Sequence, residues 1–173
     1  MDACGIVLNE GMKTETTNDR RRNGVLTVDD SNRRLLAELQ RDARLSLAEL
    51  GRRIGLSAPA VAERLARLEE GGVIRGYHAD LDPRALGFGL GAVLRIRPAP
   101  RELKKVAELA RRTPEVSEAH RITGDDCYFI RLHVRDVEHL EDVIDRFAPY
   151  GQTTTSIVQS APVPPRGLPI DSD

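Results

Sequence analysis

Residues Ser46 to Gly72 read SLAELGRRIGLSAPAVAERLARLEEGG, and the spacing within this stretch decides the fold. Ser46 and Glu49 stand in the S-x-x-E order of a capping box, and Leu45 and Leu50 take the N′ and N4 positions of a hydrophobic staple. The pattern then repeats. Ser57 is placed to cap a second helix, with Leu56 before it and Val61 four positions into it. Only Gly55-Leu56-Ser57 separates the two helices, too short a link for anything but a tight turn. Leu47, Leu50 and Ile54 mark the inward stripe of the first of these helices; Val61, Leu65 and Leu68 mark that of the second. Upstream, Leu35, Leu36 and Leu39 recur at helical spacing from Asp30 onward and predict a further helix. Three helices, the last two joined by a glycine-containing turn, form a helix-turn-helix unit.

After Gly71-Gly72 the period changes from 3.6 to two. VIRGYHADLD (73–82) reads as a strand leaving the helices. Beyond Pro83 come strand 88–97, helix 101–112, strands 115–123 and 127–134, helix 137–148 and strand 153–160, in the order β-α-β-β-α-β of a ferredoxin-like unit. The fold class expected is α+β: an N-terminal winged-type helix-turn-helix domain joined to a C-terminal βαββαβ domain. The boundaries that follow are a flexible extension over 1–24, the helical domain over 25–72, a linker strand over 73–86, the ferredoxin-like domain over 87–164 and a proline-rich tail over 165–173. In strand 127–134, Tyr128, Ile130, Leu132 and Val134 share one face, and Cys127, Phe129, Arg131 and His133 the other. Strand 88–97 divides the same way, with Val93, Arg95 and Arg97 on the mixed face. The apolar faces belong under the helices. A sheet left open and bearing Phe129 and Val93 suits association with a second copy.

The chain has 173 residues, 26 basic and 27 acidic, for a net charge of −1. The signs balance to within one in the extension, in residues 25–85 and in the remainder. Bulk charge therefore does not point to nucleic acid or membrane, and a nucleic-acid reading must rest on where individual arginines stand. Cys4 and Cys127 make neither a disulfide framework nor a zinc spacing, in keeping with a reducing compartment. No apolar run approaches the roughly 20 residues that span a bilayer, and no signal sequence is evident, so a cytoplasmic location is expected. Arg20-Arg21-Arg22 is either a phosphate contact or a solvated charge run.

The helix opening on Ser57-Ala58-Pro59-Ala60 begins with side chains too small to pack or grip. A helix set into the major groove of DNA has reason to begin so, because bulk in its first turn would hold the backbone off the duplex. The free amides of that turn favour phosphate oxygens, and Pro59 lacks a donor only where none would be paired. With Val61 inward, Pro59, Ala60, Glu63 and Arg67 project outward and Arg64 borders the buried stripe. The candidate DNA-contacting set is Ser57, Ala58, Pro59, Ala60, Glu63, Arg64 and Arg67, with Arg53 at the end of the preceding helix. The bland alternative is a solvated helix face whose arginines pair with Glu63, Glu69 or Glu70.

The segment DDSNRRLLAELQRDARLSLAELGRRIGLSAPAVAERLARLEEGGVIRGYHADLDPRALG closely resembles the N-terminal half of the Lrp/AsnC, or feast/famine, family of transcriptional regulators, and the βαββαβ segment resembles their sensing and assembly domain. The resemblance spans about Val28 to Pro164. It implies DNA-bound homodimers, often built into octamers, that answer to amino acids or related small molecules. It also implies an effector site near the loop between the middle strands, here Thr123, Gly124, Asp125, Asp126, Cys127 and Tyr128. Gly124 and the backbone would receive a carboxylate, and Asp125 and Asp126 an ammonium group. The family commonly has an aromatic residue and then an acid where this chain has Asp126 and Cys127. No catalytic, metal or cofactor residues are expected: His78, His120, His133 and His139 are dispersed, and no nucleophile or phosphate-loop motif is present. Two other readings stay open. One is a tetrapyrrole-handling enzyme, since some haem-pathway decarboxylases resemble the family in architecture. The other is an architectural DNA binder indifferent to small molecules.

Overall fold

The computed structural model describes residues 28–170; the expectations for the extension 1–24, its arginine triplet included, lie outside the described residues. Two compact units divide the chain: residues 80–162, and residues 28–79 together with 163–170.

The helical unit contains α1 (Asp30–Arg41), α2 (Leu47–Ile54) and α3 (Ala58–Glu70). Each helix begins on an oxygen-bearing cap. The Asp29 carboxylate accepts from the Asn32 amide at 2.7 Å, Ser46 Oγ from Glu49 at 3.2 Å, and Ser57 Oγ from Ala60 at 3.4 Å. Only half of the expected capping box forms. The Glu49 carboxylate turns away from the Ser46 amide toward Arg52 and Arg53, since two charged donors hold it more strongly than one amide. Leu35, Leu50, Ile54, Val61 and Leu68 make the core, with Leu36, Leu39, Leu45, Leu56 and Leu65 packed around it. Leu47, expected inside, is 40% exposed; as the first residue of α2 it projects past the layer that covers Leu50 and Ile54.

The strand expected over 73–82 does not form. The main-chain amides of a strand need a neighbouring strand, and the one sheet among the described residues is built wholly from later segments. The chain instead folds back at the end of α3, where the amides of Val73 and Ile74 both donate to the Leu68 carbonyl. Tyr77 Oη donates to Glu69 at 2.8 Å. Residues 163–170 run along this unit: Leu168 and Ile170 help to line a groove of about 640 Å³ with Leu36, Leu39, Val73 and Tyr77.

The second unit contains β1 (Leu90–Pro98), α4 (Leu103–Arg112), β2 (Val116–Arg121), β3 (Tyr128–Val134), α5 (Val137–Phe147), a 3₁₀ turn over Ala148–Tyr150, and β4 (Gly151–Ile157). The sheet is antiparallel in the order β2-β3-β1-β4. Its covered face carries Ala92, Leu94, Ile96, Tyr128, Ile130, Leu132 and Val134, which pack with Val106 and Ala110 of α4 and Leu140, Val143 and Phe147 of α5. The period-two reading is therefore realised from Leu90 to Ile96 and from Tyr128 to Val134. Cys127 departs from it. Expected on the mixed face, it is 1% exposed and joins the core, because it precedes the regular strand and its amide is drawn to the Ile96 carbonyl at 3.0 Å. His120 and His133 do not meet across the strands, since their register partners are Phe129 and Gly91.

Candidate functional site

The first turn of α3 is held forward by a contact behind it. The Leu56 amide donates to the Gly51 carbonyl at 2.9 Å, and a Cβ on Gly51 would lie 2.3 Å from the Leu56 carbonyl oxygen. Gly55 caps α2 in the left-handed region, φ 77°, where glycine carries no steric penalty. These two glycines let the chain reverse within three residues. Ser57 and Pro59 are exposed, and Ala58 and Ala60 partly so. The turn thus presents main chain and methyl-sized groups to solvent, with Val61 fully buried beneath it.

The arginines of the unit divide by role. Arg67 is exposed on the outward face and pairs with Glu63 one turn earlier. Arg64 turns the other way: its guanidinium donates to Asp29 at 2.7 Å and to Asn32 at 3.0 Å, fastening α3 to the start of α1. The Arg64 guanidinium and the Asn32 amide hold the Asp29 carboxyl below its usual range. Arg53 is shared between Glu38 and Glu49, 2.8 Å from each. Arg52 and Arg53 together bring Glu49 down to about 2. Of the three candidate DNA-contacting arginines, Arg67 is the one whose only partner among the described residues is a single exposed carboxylate on its own helix.

In the second unit, residues 123–126 close the β2–β3 hairpin. Gly124 has φ 108°, a conformation that L side chains rarely adopt. Two arginines absent from the sequence-derived set reach this loop from the open face of β1. Arg97 Nε donates to the Asp125 carbonyl at 2.7 Å, and its guanidinium lies 3.5 Å from the Asp125 carboxylate. Arg95 lies 3.6 Å from the Asp126 carboxylate. The register of β1 on β3, which sets Arg95 opposite Phe129, brings the two cations to the loop. Their signal in the sequence was the L-R-I-R alternation, legible as a mixed face but not as a neighbour of residues some thirty positions on. Cations and carboxylates thus stand side by side, whereas Cys127 and Tyr128 are buried beneath. Tyr128 Oη is engaged with the Leu103 carbonyl at 2.9 Å.

Two family signatures fall on these two units. The AsnC-type helix-turn-helix domain matches residues 28–69, and the Lrp/AsnC ligand binding domain matches residues 91–168. The HTH-type transcriptional regulator YezC of Bacillus subtilis, described as uncharacterized, is 39% identical over 134 residues, covering 78% of this chain and 95% of its own.

The chain belongs to the Lrp/AsnC family.

Its fold agrees with solved Lrp/AsnC structures. The structure of B. subtilis LrpC superposes with a TM-score of 0.74 at 32% identity, covering 77% of this chain and 95% of LrpC. A feast or famine regulatory protein of Mycobacterium tuberculosis, solved in complex with L-methionine, superposes with a TM-score of 0.76 at 32% identity, covering 83% of this chain and 99% of its own. The family assignment makes this chain a DNA-binding, helix-turn-helix transcriptional regulator with a ligand-binding domain. No helix among the described residues is long and apolar enough to cross a membrane.

Proposed function

We propose that this Lrp/AsnC regulator reads duplex DNA with the first turn of α3 and is biased by an amino acid held at the 123–126 loop. Ser57, Ala58, Pro59 and Ala60 bring the backbone to the groove, and Arg67 contacts phosphate or a base edge. Glu63 restrains Arg67 until DNA competes for it. Arg64 acts as a positioning residue, keeping α3 at its angle to α1, and Arg53 stands second to Arg67 as a phosphate contact. The observation that carries this reading is the small, solvent-facing first turn backed by the Gly51–Leu56 approach. A helix that served only packing has no need of it.

At the loop, Arg95 and Arg97 would take the effector carboxylate, and Asp125 and Asp126 its ammonium group, so a zwitterion replaces the internal pairs at little electrostatic cost. Thr123 and Gly124 shape the backbone there; Cys127 and Tyr128 support it from the core. The open sheet face pairs two copies, which sets the spacing of two α3 helices for a pseudo-palindromic site, and octamers assemble from such dimers. The effector acts by its differential affinity for two assemblies. The protein works in the cytoplasm as a regulator with no catalysis of its own. The M. tuberculosis relative with bound L-methionine supports the amino-acid class.

The test is selection of binding sites from a randomised duplex pool, followed by titration of the selected site with each amino acid. A selected, two-fold-related sequence whose binding shifts with at least one amino acid is expected. Recovery of no sequence preference would remove the reading, and preference without any amino-acid effect would leave an architectural binder.

A further inference from the structure

On the covered side of the sheet, the helical layer stops short of the edge strand. Ile130 of β3 is fully buried, but its register partner on β2, Ala119, is exposed on that same side. The space left open is a cleft of about 530 Å³ between α4 and β2, within the range of small-molecule sites. Ala107 and Ala110 of α4, Val116 and Ala119 of β2, and Tyr128 of β3 line it. These surfaces are apolar or already satisfied. Tyr128 Oη donates to the Leu103 carbonyl, and Ser117 Oγ, at the rim, donates to the Arg131 carbonyl.

Two charged groups remain, and both are cations. Arg111 from α4 and Arg121 from β2 line the cleft, and both guanidinium groups are close enough to act on the Tyr128 phenol, opposing the upward push of its burial. Neither has a hydrogen-bond or ion-pair partner among the described residues. The carboxylate at the rim, Glu118, is engaged elsewhere: it lies 2.6 Å from His120 Nε2 and 3.7 Å from Arg131.

We infer that the cleft between α4 and β2 is a second small-molecule site, selective for an aliphatic carboxylate that carries no ammonium group, such as a 2-oxo acid. Two unpaired guanidinium groups over an apolar pocket supply charge-assisted donors for a carboxylate and for an adjacent keto oxygen. An amino acid brings an ammonium group that finds two cations and no free carboxylate. The 123–126 loop offers both signs and suits the zwitterion; this cleft offers one sign and suits its deaminated counterpart. One chain would then sense both members of an amino acid and oxo acid pair at separate sites.

The test is calorimetric titration of the full chain with 4-methyl-2-oxopentanoate and with L-leucine, which share a carbon skeleton and differ at C2. The oxo acid is expected to bind, with affinity lowered roughly tenfold or more in Arg111→Gln and in Arg121→Gln, as loss of a charge-assisted hydrogen bond requires. It should also be lost in Ala119→Leu, which fills the cleft, and kept in Arg95→Gln, whose side chain stands on the opposite face of the sheet. Leucine added first should not displace it. Absence of oxo-acid binding, indifference to both arginine substitutions, loss in Arg95→Gln, displacement by leucine, or equal binding of inorganic phosphate would each overturn the inference. None of these results bears on DNA reading by α3.

Discussion

Gly51 and Leu56 are in main-chain contact across the turn of the helix-turn-helix: a side-chain carbon on Gly51 would fall 2.3 Å from the Leu56 carbonyl oxygen and 3.3 Å from its carbon. No rotamer relieves such a clash, because both partners are backbone. Gly51→Ala should therefore destabilise the helical unit by roughly 1–3 kcal/mol, in the range of overpacked cores, although alanine is the better helix former. Thermal unfolding followed by circular dichroism would check this. An unchanged midpoint would mean that α2 and α3 separate freely, and the forward setting of the α3 turn would lose its basis.

At the outer face of α3, the exposed Arg67–Glu63 pair gives two substitutions opposite signs. Arg67→Ala should weaken binding to the selected site roughly tenfold and reduce the salt slope by about one. Glu63→Gln should tighten binding by releasing the guanidinium. Fluorescence anisotropy at several salt concentrations measures both. A tenfold loss with an unaltered slope would assign Arg67 to a base edge instead of a phosphate.

The effector loop has its own signature. Gly124→Val forces a side chain into φ 108° and should abolish the amino-acid response while DNA affinity without effector stays as it was. Arg97→Gln should weaken the response through the lost carboxylate contact. If Gly124→Val lowers DNA affinity and assembly together, the loop serves assembly and not sensing.

Stability should fall on the acid side through one half-buried cluster. Glu115 Oε1 lies 2.9 Å from Arg146 and 2.8 Å from His139 Nε2, with its side chain only 13% exposed. Arg146 foremost, then His139, brings the Glu115 carboxyl down to about 2 from 4.5, against the opposing effect of burial. Because the folded value lies below the unfolded one, the contribution is complete above about pH 4.5 and is lost as pH falls from there toward about 2. Glu115→Gln should cost about 1–2 kcal/mol at pH 7 and flatten the acid limb of a stability–pH profile measured by urea unfolding. An acid limb of unchanged steepness would place the acid sensitivity in other carboxylates.

The open sheet face carries Phe129 with the His120 ring at 6.4 Å between centroids, together with Val93. Phe129→Asp should shift the protein from dimer to monomer in light scattering and weaken binding to a two-fold-related site. A dimer that persists would require another surface for association.

What could be read from residues alone was whatever depends on near neighbours in the chain. The caps Ser46 and Ser57, the Leu50–Ile54 and Val61–Leu68 stripes and the alternation of β1 and β3 are set by spacing, and they stand where expected. The resemblance to Lrp/AsnC regulators rested on the same helical residues. Tertiary structure decided where long-range partners compete. Arg64, at the border of the buried stripe, reads as a DNA contact or a partner of a carboxylate on its own helix, yet Asp29, far away in sequence, takes its guanidinium. Glu49 was placed to complete a box, yet two arginines outcompete one amide. Residues 73–82 alternate like a strand, but without a neighbour to receive their amides they stay irregular. Gly51 carries a local sign of close backbone approach, a glycine inside a helical pattern, but only the fold shows that Leu56 is the partner. Arg95 and Arg97 reached the effector loop only once strand register was set. Local periodicity is a property of one segment; which charge meets which carboxylate is a property of two, and only the folded chain brings the second segment into place.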